Sequence, residues 1–271
     1  MPLVAKKSLG QHFLEHSWVK KLIAIIKPSH GDIFLEIGPG NGSLTLALAE
    51  YDVKIFAVEI DSRLSAMLKK HAPKNVSITN ADILKLSISE MKLPRQTRVV
   101  GNLPYNISSE ILLKLLYASN DENTFTDAHL MFQKEVAERI TGIVGSRDWG
   151  PLSITTSLFA TAKEVLSLPP GAFRPAPKVN SSLIKLTFRP SPVAIKNQTL
   201  FDELVRSIFT QRRKMLSNAL QSFLKKTSTL EATELYRSTS IDPTSRPSVL
   251  AIEDLARLAN KLSDHSLEND T

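Results

Sequence analysis

The sequence predicts an α/β fold: a parallel, doubly wound sheet followed by a small all-helical domain. Three observations carry that expectation. Short apolar runs alternate with helical patterns from Ile33 to Lys185, and this β-α order implies parallel strands joined by right-handed crossovers. The stretch Arg189-Pro190-Ser191-Pro192 then breaks the alternation, as a proline-punctuated linker does. Beyond it, apolar residues recur at helical spacing. The expected domains are residues 1–190 and 195–271.

Ile33 to Ile37 reads as a buried strand and Ser43 to Ala49 as a helix. Val53 to Val58 is the next strand, Ser62 to Lys70 its helix, and Val76 to Thr79 a short third strand. Arg98 to Val100 follows, then a helix over Ser109 to Tyr117. Asp127 to Phe132 is a strand with Lys134 to Thr141 helical after it; Lys163 to Leu168 and Ser182 to Phe188 are the last two strands. In the C-terminal region the helical stripe runs through Phe201, Leu204, Ile208, Met215, Leu216 and Leu220, and again over Ala251 to Leu262. Residues from His265 onward are expected to fray.

Composition narrows the function. Over 271 residues the net charge is +7 and the pI about 9.5, which favours a polyanionic partner. There is no cysteine, so disulfides, thiolate metal sites and cysteine nucleophiles are excluded. No stretch approaches a membrane span and no signal-peptide core opens the sequence. A cytoplasmic protein with no membrane partner is expected. No heptad seam asks for more than a monomer.

Glu36-Ile37-Gly38-Pro39-Gly40-Asn41-Gly42 follows the first strand and opens a helix. Glycines let such a loop turn tightly and approach a ligand. An acid in front of the loop repels phosphate and suits a cation, which points to S-adenosylmethionine, a sulfonium with an amino group and no phosphate. Glu59 ends the second strand, where an acid binds ribose hydroxyls in related folds. Asp82 ends the third and is placed to accept from the cofactor's adenine amine. Asn102-Leu103-Pro104-Tyr105 ends the fourth. An Asn carbonyl accepts from an exocyclic amine, Pro stiffens the turn, and a Tyr ring stacks on a base. No cluster of metal ligands appears, and no metal is expected.

Taken together, these segments resemble the ribosomal RNA adenine dimethyltransferases of the small subunit, the kasugamycin-sensitivity family. The resemblance runs from Lys7-Ser8-Leu9-Gly10-Gln11-His12-Phe13-Leu14 to Leu255-Ala256-Arg257-Leu258-Ala259-Asn260. It includes the glycine loop, Asn102 to Tyr105, Gln133 to Arg139, Phe173-Arg174-Pro175-Ala176-Pro177-Lys178-Val179, and Gln211-Arg212-Arg213-Lys214. It implies a Rossmann-like seven-stranded methyltransferase sheet with an all-helical C-terminal domain, and cofactor contacts at His12, Leu14, Gly38, Glu59, Asp82 and Asn102. Many members carry Asn at the position of His12, Tyr at Trp149 and Glu at Ser248. The implied reaction is transfer of methyl groups from S-adenosylmethionine to the amines of two adjacent adenosines in the 3′-terminal hairpin loop of 16S rRNA, with a role in subunit maturation.

For that reaction the residues divide as follows. The Asn102 oxygen and a carbonyl at Leu103 or Pro104 accept the two amine hydrogens, and Tyr105 stacks on the base. By the resemblance, Phe173 closes its other face. The target leaves its stack to enter the site. Arg206, Arg212, Arg213, Lys214, Lys225 and Lys226, with no acid between Leu204 and Leu230, are the expected phosphate-binding face. Arg212 is also in phase with the apolar stripe and can snorkel. Lys6, Lys7, Lys20 and Lys21 form a second basic cluster. Three alternatives remain at this level: a large-subunit rRNA methylase of the macrolide-resistance type, a mainly non-catalytic assembly factor, and a DNA adenine methylase.

Overall fold

The computed structural model describes residues 6, 9–122, 124–227 and 231–268. Contacts divide the chain into two compact units, one of residues 1–138 and 159–189, the other of 139–158 and 190–271. The second unit thus takes in 139–158 as well as everything after the proline stretch.

In the first unit the elements are β1 (Phe13–Leu14), α1 (His16–Ile26), β2 (Ile33–Ile37), α2 (Ser43–Ala49), β3 (Lys54–Glu59), α3 (Ser62–His71), β4 (Val76–Asn80), β5 (Thr97–Asn102), α4 (Ser108–Glu122) and β6 (Phe125–Gln133). After α5 (Lys134–Ile140) and α6 (Pro151–Phe159) come β7 (Ala160–Leu168), β8 (Phe173–Arg174) and β9 (Ser181–Phe188). The main sheet has seven strands in the order β4-β3-β2-β5-β6-β9-β7. Its first five strands are parallel, as the β-α alternation predicts.

The expectation of a wholly parallel sheet is corrected at the other edge. β9 lies antiparallel to both β6 and β7, so the sheet is mixed. A parallel return needs a crossover, generally a helix. Between β7 and β9 there is only a short 3-10 turn, Pro170–Ala172, and the two residues of β8, so the chain doubles back. β8 leaves the sheet to pair with β1, Leu14 opposite Phe173 and Phe13 opposite Arg174.

Of the elements that the sequence reading leaves out, two carry readable signals. Helix α1 buries Val19, Leu22, Ile23 and Ile26, the i, i+3, i+4, i+7 pattern of a helix with one apolar face. Helix α6 follows Gly150 and begins at Pro151, where proline's fixed φ suits a first helical turn.

Parallel register sets the working end of the sheet. Glu36 stands beside Ala57 of β3 and Val100 of β5, so these strands reach their carboxyl ends nearly level. Gly101 lets β5 lie close to β2: a Cβ there would meet Ile37 O at 2.7 Å.

The second unit is helical: α7 (Gln198–Phe209), α8 (Leu216–Thr227), α9 (Ala232–Thr239) and α10 (Ile252–Glu268). The apolar stripe of the sequence is broken between α7 and α8, and Met215, expected on its buried side, is exposed. Helix α10 continues past His265 to Glu268; the rest of the expected frayed end, 269–271, lies outside the described residues. The segment 139–158 belongs with this unit for identifiable reasons. The Trp149 indole donates to Leu250 O at 3.1 Å, and Gly145 N–H to Ser248 O at 2.9 Å.

At the amino end of the sheet, Arg98 on β5 is the tie. It donates to Asp127 from Nε (2.9 Å) and Nη2 (3.0 Å), to Asp32 from Nη1 (2.7 Å), and to Ile26 O from Nη2 (2.7 Å). Its side chain is 13% exposed. Removing one member of a largely buried ion cluster leaves its partners uncompensated. Arg98→Leu is expected to lower the unfolding free energy by about 3 kcal/mol in urea denaturation. A loss under about 1 kcal/mol, the scale of an exposed pair, would contradict this account of the tie.

Candidate active site

The site is built on the carboxyl ends of β2, β3 and β5 and the loop after β4, where open α/β sheets hold ligands. One cavity there is lined by Gly38, Glu59, Asp82, Asn102, Leu103, Pro104 and Tyr105. His12 and Leu14 line it from the N-terminal segment. Every expected cofactor contact and the whole Asn102–Tyr105 motif therefore meet in one place, all within the first unit.

The loop after β2 turns through three left-handed glycines, Gly38, Gly40 and Gly42. Gly40 shows why the type matters: its φ is +60°, and a Cβ would press on the Phe13 ring at 3.1 Å. The Gly40 N–H donates to Glu59 Oε2 at 2.9 Å, and the Asp61 N–H to Oε1 at 2.8 Å. Burial raises the Glu59 carboxyl above its ordinary value, while those N–H groups pull it back. Each Glu59 oxygen keeps a lone pair for a further donor. Asp82 accepts the Leu84 N–H on Oδ1 at 3.0 Å.

Glu36 is the most unusual group. It is 2% exposed, lines the cavity, and its Oε2 has no hydrogen-bond partner among the described residues. Burial pushes its carboxyl up to about 7; the Thr45 hydroxyl opposes this, and the neighbouring Glu59 charge adds to it. An orphaned buried carboxylate, two more acids and a glycine cradle suit a ligand that carries positive charge and hydroxyls. S-adenosylmethionine fits this donor set.

Asn102 Nδ2 donates to the main-chain carbonyl of His12. A carbonyl only accepts, so the amide nitrogen must face His12 and Oδ1 must face away. The His12 ring stacks on Tyr105, with centroids 5.5 Å apart and planes 22° apart, and its Nδ1 donates to Pro175 O at 2.7 Å. The Tyr105 hydroxyl bonds to Ser181 Oγ. Burial raises the phenol above its ordinary value, so it stays protonated.

Phe173 departs from its expected place. It is 0% exposed and belongs to the core cluster of the first unit with Leu14, Ala172 and Leu183. It is not part of the cavity wall. On two-residue β8 the side chains alternate, so Phe173 turns inward and Arg174 outward.

In the second unit Arg206, Arg213, Lys214 and Lys225 are exposed; the Lys226 side chain lies outside the described residues. Arg212 is a brace: its guanidinium donates to the main-chain oxygens of Arg147 and Ser146. In the N-terminal cluster, Lys6 reaches Asp61 at 3.6 Å, Lys21 sits over the Trp18 ring at 3.8 Å, and Lys7 lies outside the described residues. Among the described residues no group of three or more His, Asp or Glu is placed to hold a metal ion.

Sequence reasoning missed Ser181, Gln11 and Asp61. Asp61 caps α3 by accepting from Arg63 N–H at 3.1 Å and accepts from Gln11 Nε2 at 3.2 Å; Arg63 holds its carboxyl well below the usual range. An Asp just before a helical pattern is a readable cap. Ser181 carries no such mark.

A family model described as ribosomal RNA adenine dimethylase matches residues 3–264. The chain belongs to the ribosomal RNA adenine dimethylase family. It is 38% identical over 268 residues to the ribosomal RNA small subunit methyltransferase A of Coxiella burnetii (strain Dugway 5J108-111), covering 97% of this chain and 99% of that one. It is 37% identical over 264 residues to the protein of the same name from Francisella tularensis subsp. novicida (strain U112), covering 96% and 98%. Among solved structures it resembles a dimethyladenosine transferase from Plasmodium falciparum, with TM-score 0.79, 26% identity and 94% and 98% coverage. It also resembles the 23S rRNA methyltransferase ErmE, with TM-score 0.64, 25% identity and 93% and 99% coverage. This dimethylase-family chain thus shares its fold with a dimethyladenosine transferase and a 23S rRNA methyltransferase.

The Glu36 carboxyl titrates near 7 in the folded protein against an ordinary 4.5. Between those values the folded state keeps a proton that the unfolded chain has lost, so stability falls as pH rises. Glu36→Gln removes this fall. The stability of the variant minus that of the wild type is expected to grow by roughly 3 kcal/mol from pH 4 to pH 8. His129, pushed down to about 4 by burial, gives both proteins the opposite slope and cancels. Denaturation series at several pH values measure the difference; a flat one would contradict the assignment.

Proposed function

We propose that this protein transfers methyl groups from S-adenosylmethionine to the exocyclic amines of two adjacent adenosines in the 3′-terminal hairpin loop of 16S rRNA. The observation that carries the reading is the convergence of the glycine loop, Glu59, Asp82 and Asn102–Tyr105 on one cavity, in a chain whose family is named for this chemistry.

When bound, S-adenosylmethionine supplies an electrophilic methyl group on its sulfonium. Gly38, Glu59, Asp82, His12 and Leu14, which line the cavity, would hold that cofactor. Glu59 would take ribose hydroxyls and Asp82 the adenine amine.

Adenine's amine is a poor nucleophile because its lone pair is delocalised into the ring. The protein's work is to orient it. Asn102 Oδ1, turned away from His12, accepts one amine hydrogen. Leu103 O or Pro104 O accepts the other; Pro104 O also takes the Ile107 N–H at 3.2 Å and keeps a second lone pair. Two acceptors below the plane favour a pyramidal nitrogen with its lone pair raised. His12 stacks on one face of Tyr105, and the base takes the other. Positioning of this kind contributes about 7–11 kcal/mol to lowering a barrier. Phe173, being core, packs under the site and is not assigned to the base. Arg206, Arg213, Lys214 and Lys225 give the helical unit its phosphate-binding face, with Arg212 as a brace.

Mass spectrometry of RNA from undermethylated small subunits, treated with the protein and labelled methyl donor, is expected to show label as dimethyladenosine at two neighbouring positions. Label found instead on large-subunit RNA would favour the macrolide-resistance type of reaction. Asn102→Ala is expected to lower the rate at least about 100-fold while subunit binding is kept; full activity would remove Asn102 from its role. Charge reversal at Arg213 and Lys214 is expected to weaken subunit binding and to flatten its salt dependence by about one unit of slope per lost contact. Unchanged binding would remove this face from recognition.

A further inference from the structure

We propose that the turn 174–180 grips the RNA strand carrying the target adenosine, with Arg174 and Lys178 binding phosphates beside that base. The proposal rests on the reading of the cavity as an adenosine methylation site.

The turn is fastened to the base plate at both ends. At its start, Pro175 O accepts from His12 Nδ1 at 2.7 Å, and the same ring stacks on Tyr105. At its end, Ser181 Oγ bonds the Tyr105 hydroxyl, while Ser181 also pairs with Gln133 of β6 and Leu168 of β7. One imidazole therefore separates the turn from the ring on which a base would lie. A strand that delivers a splayed nucleotide to Tyr105 has to run past this turn.

The turn is also built as a rigid display. Phe173 and Pro177 are buried anchors, and Arg174, Pro175, Ala176, Lys178 and Val179 face solvent. Val179 is 45% exposed, an apolar contact for a sugar or base edge. From Val165 to Phe201 the sequence has no acid. The Arg174 side chain is 76% exposed and spends only Nε, on Glu15 Oε1 at 2.9 Å. Among the described residues its Nη groups and the Lys178 ammonium have no partner. Glu15 offsets one positive charge, but an exposed pair is weak, and the guanidinium fork is free to take a phosphate. Lys134 adjoins the turn through its N–H, which donates to Asn180 O at 3.0 Å; its ammonium faces Glu138 at 3.9 Å.

The test compares wild type with R174E, K178E and the double variant in steady-state methylation of undermethylated small subunits over a range of salt. Binding of S-adenosylhomocysteine, measured by calorimetry, reports the cofactor site separately. The double variant is expected to raise KM for the particle about tenfold and to reduce the slope of log KM against log salt by about two. S-adenosylhomocysteine affinity stays within about twofold of wild type, and R174K with K178R restores KM. If charge reversal also weakens S-adenosylhomocysteine binding, R174Q with K178Q decides by its salt slope. An unchanged KM and slope beside an active wild type would overturn the grip alone. A wild type that leaves small-subunit adenosines unmodified would overturn the functional reading, and the grip with it.

Discussion

A hydrogen bond between the Asn102 amide and the main-chain carbonyl of His12 decides which way the carboxamide faces. An asparagine carries a donor and an acceptor at opposite corners, and a site that must accept from an amine works only with the oxygen inward. The chain secures this by laying a second backbone segment across the cavity. That segment is held in turn by the β1–β8 pairing, by Phe13 against Gly40, and by Gln11 on Asp61. The reversed strand β9 is part of the same arrangement. Because β7 returns without a crossover, β8 and its turn are delivered beside β1, where they support His12 and Tyr105.

The electrostatics of the site follow from what it is asked to hold. Three carboxyl groups, Glu36, Glu59 and Asp82, border one cavity. Glu59 is steadied by two backbone N–H groups, whereas Glu36 Oε2 has no hydrogen-bond partner among the described residues. Burying an unpaired carboxylate is costly, and a protein keeps one where a ligand supplies the compensation. A phosphate-bearing cofactor would meet repulsion here; a sulfonium with an ammonium group would not. Strain of this kind at a site is expected where function overrides stability.

Much of this was legible in the sequence, for physical reasons. The parallel half of the sheet is carried by strands with short, largely apolar runs, as in Ile55 to Val58, and by Gly and Asp at their ends. The acids at strand ends were readable because loop position and chemistry agree. The antiparallel edge was not, since Lys163 to Leu168 and Ser182 to Phe188 carry the same apolar signal whichever way they run. Phe173 could be a base plate or a core ring by type alone, and only its place on β8 resolves it. Arg212 likewise looks like its neighbours Arg213 and Lys214 until its bonds to the carbonyls of Ser146 and Arg147 are seen. Ser181 is one serine among many, and its partnership with Tyr105 depends on pairing across the sheet.

The measurement that bears most directly on the central claim is a crystal structure of the protein with S-adenosylhomocysteine and an RNA hairpin carrying the paired adenosines. The account predicts the homocysteine ligand against Gly38, Glu59 and Asp82, and an extruded adenine on Tyr105 with its amine within hydrogen-bond distance of Asn102 Oδ1. An adenine bound away from Tyr105, or an Asn102 amide turned to present its nitrogen to the base, would contradict it.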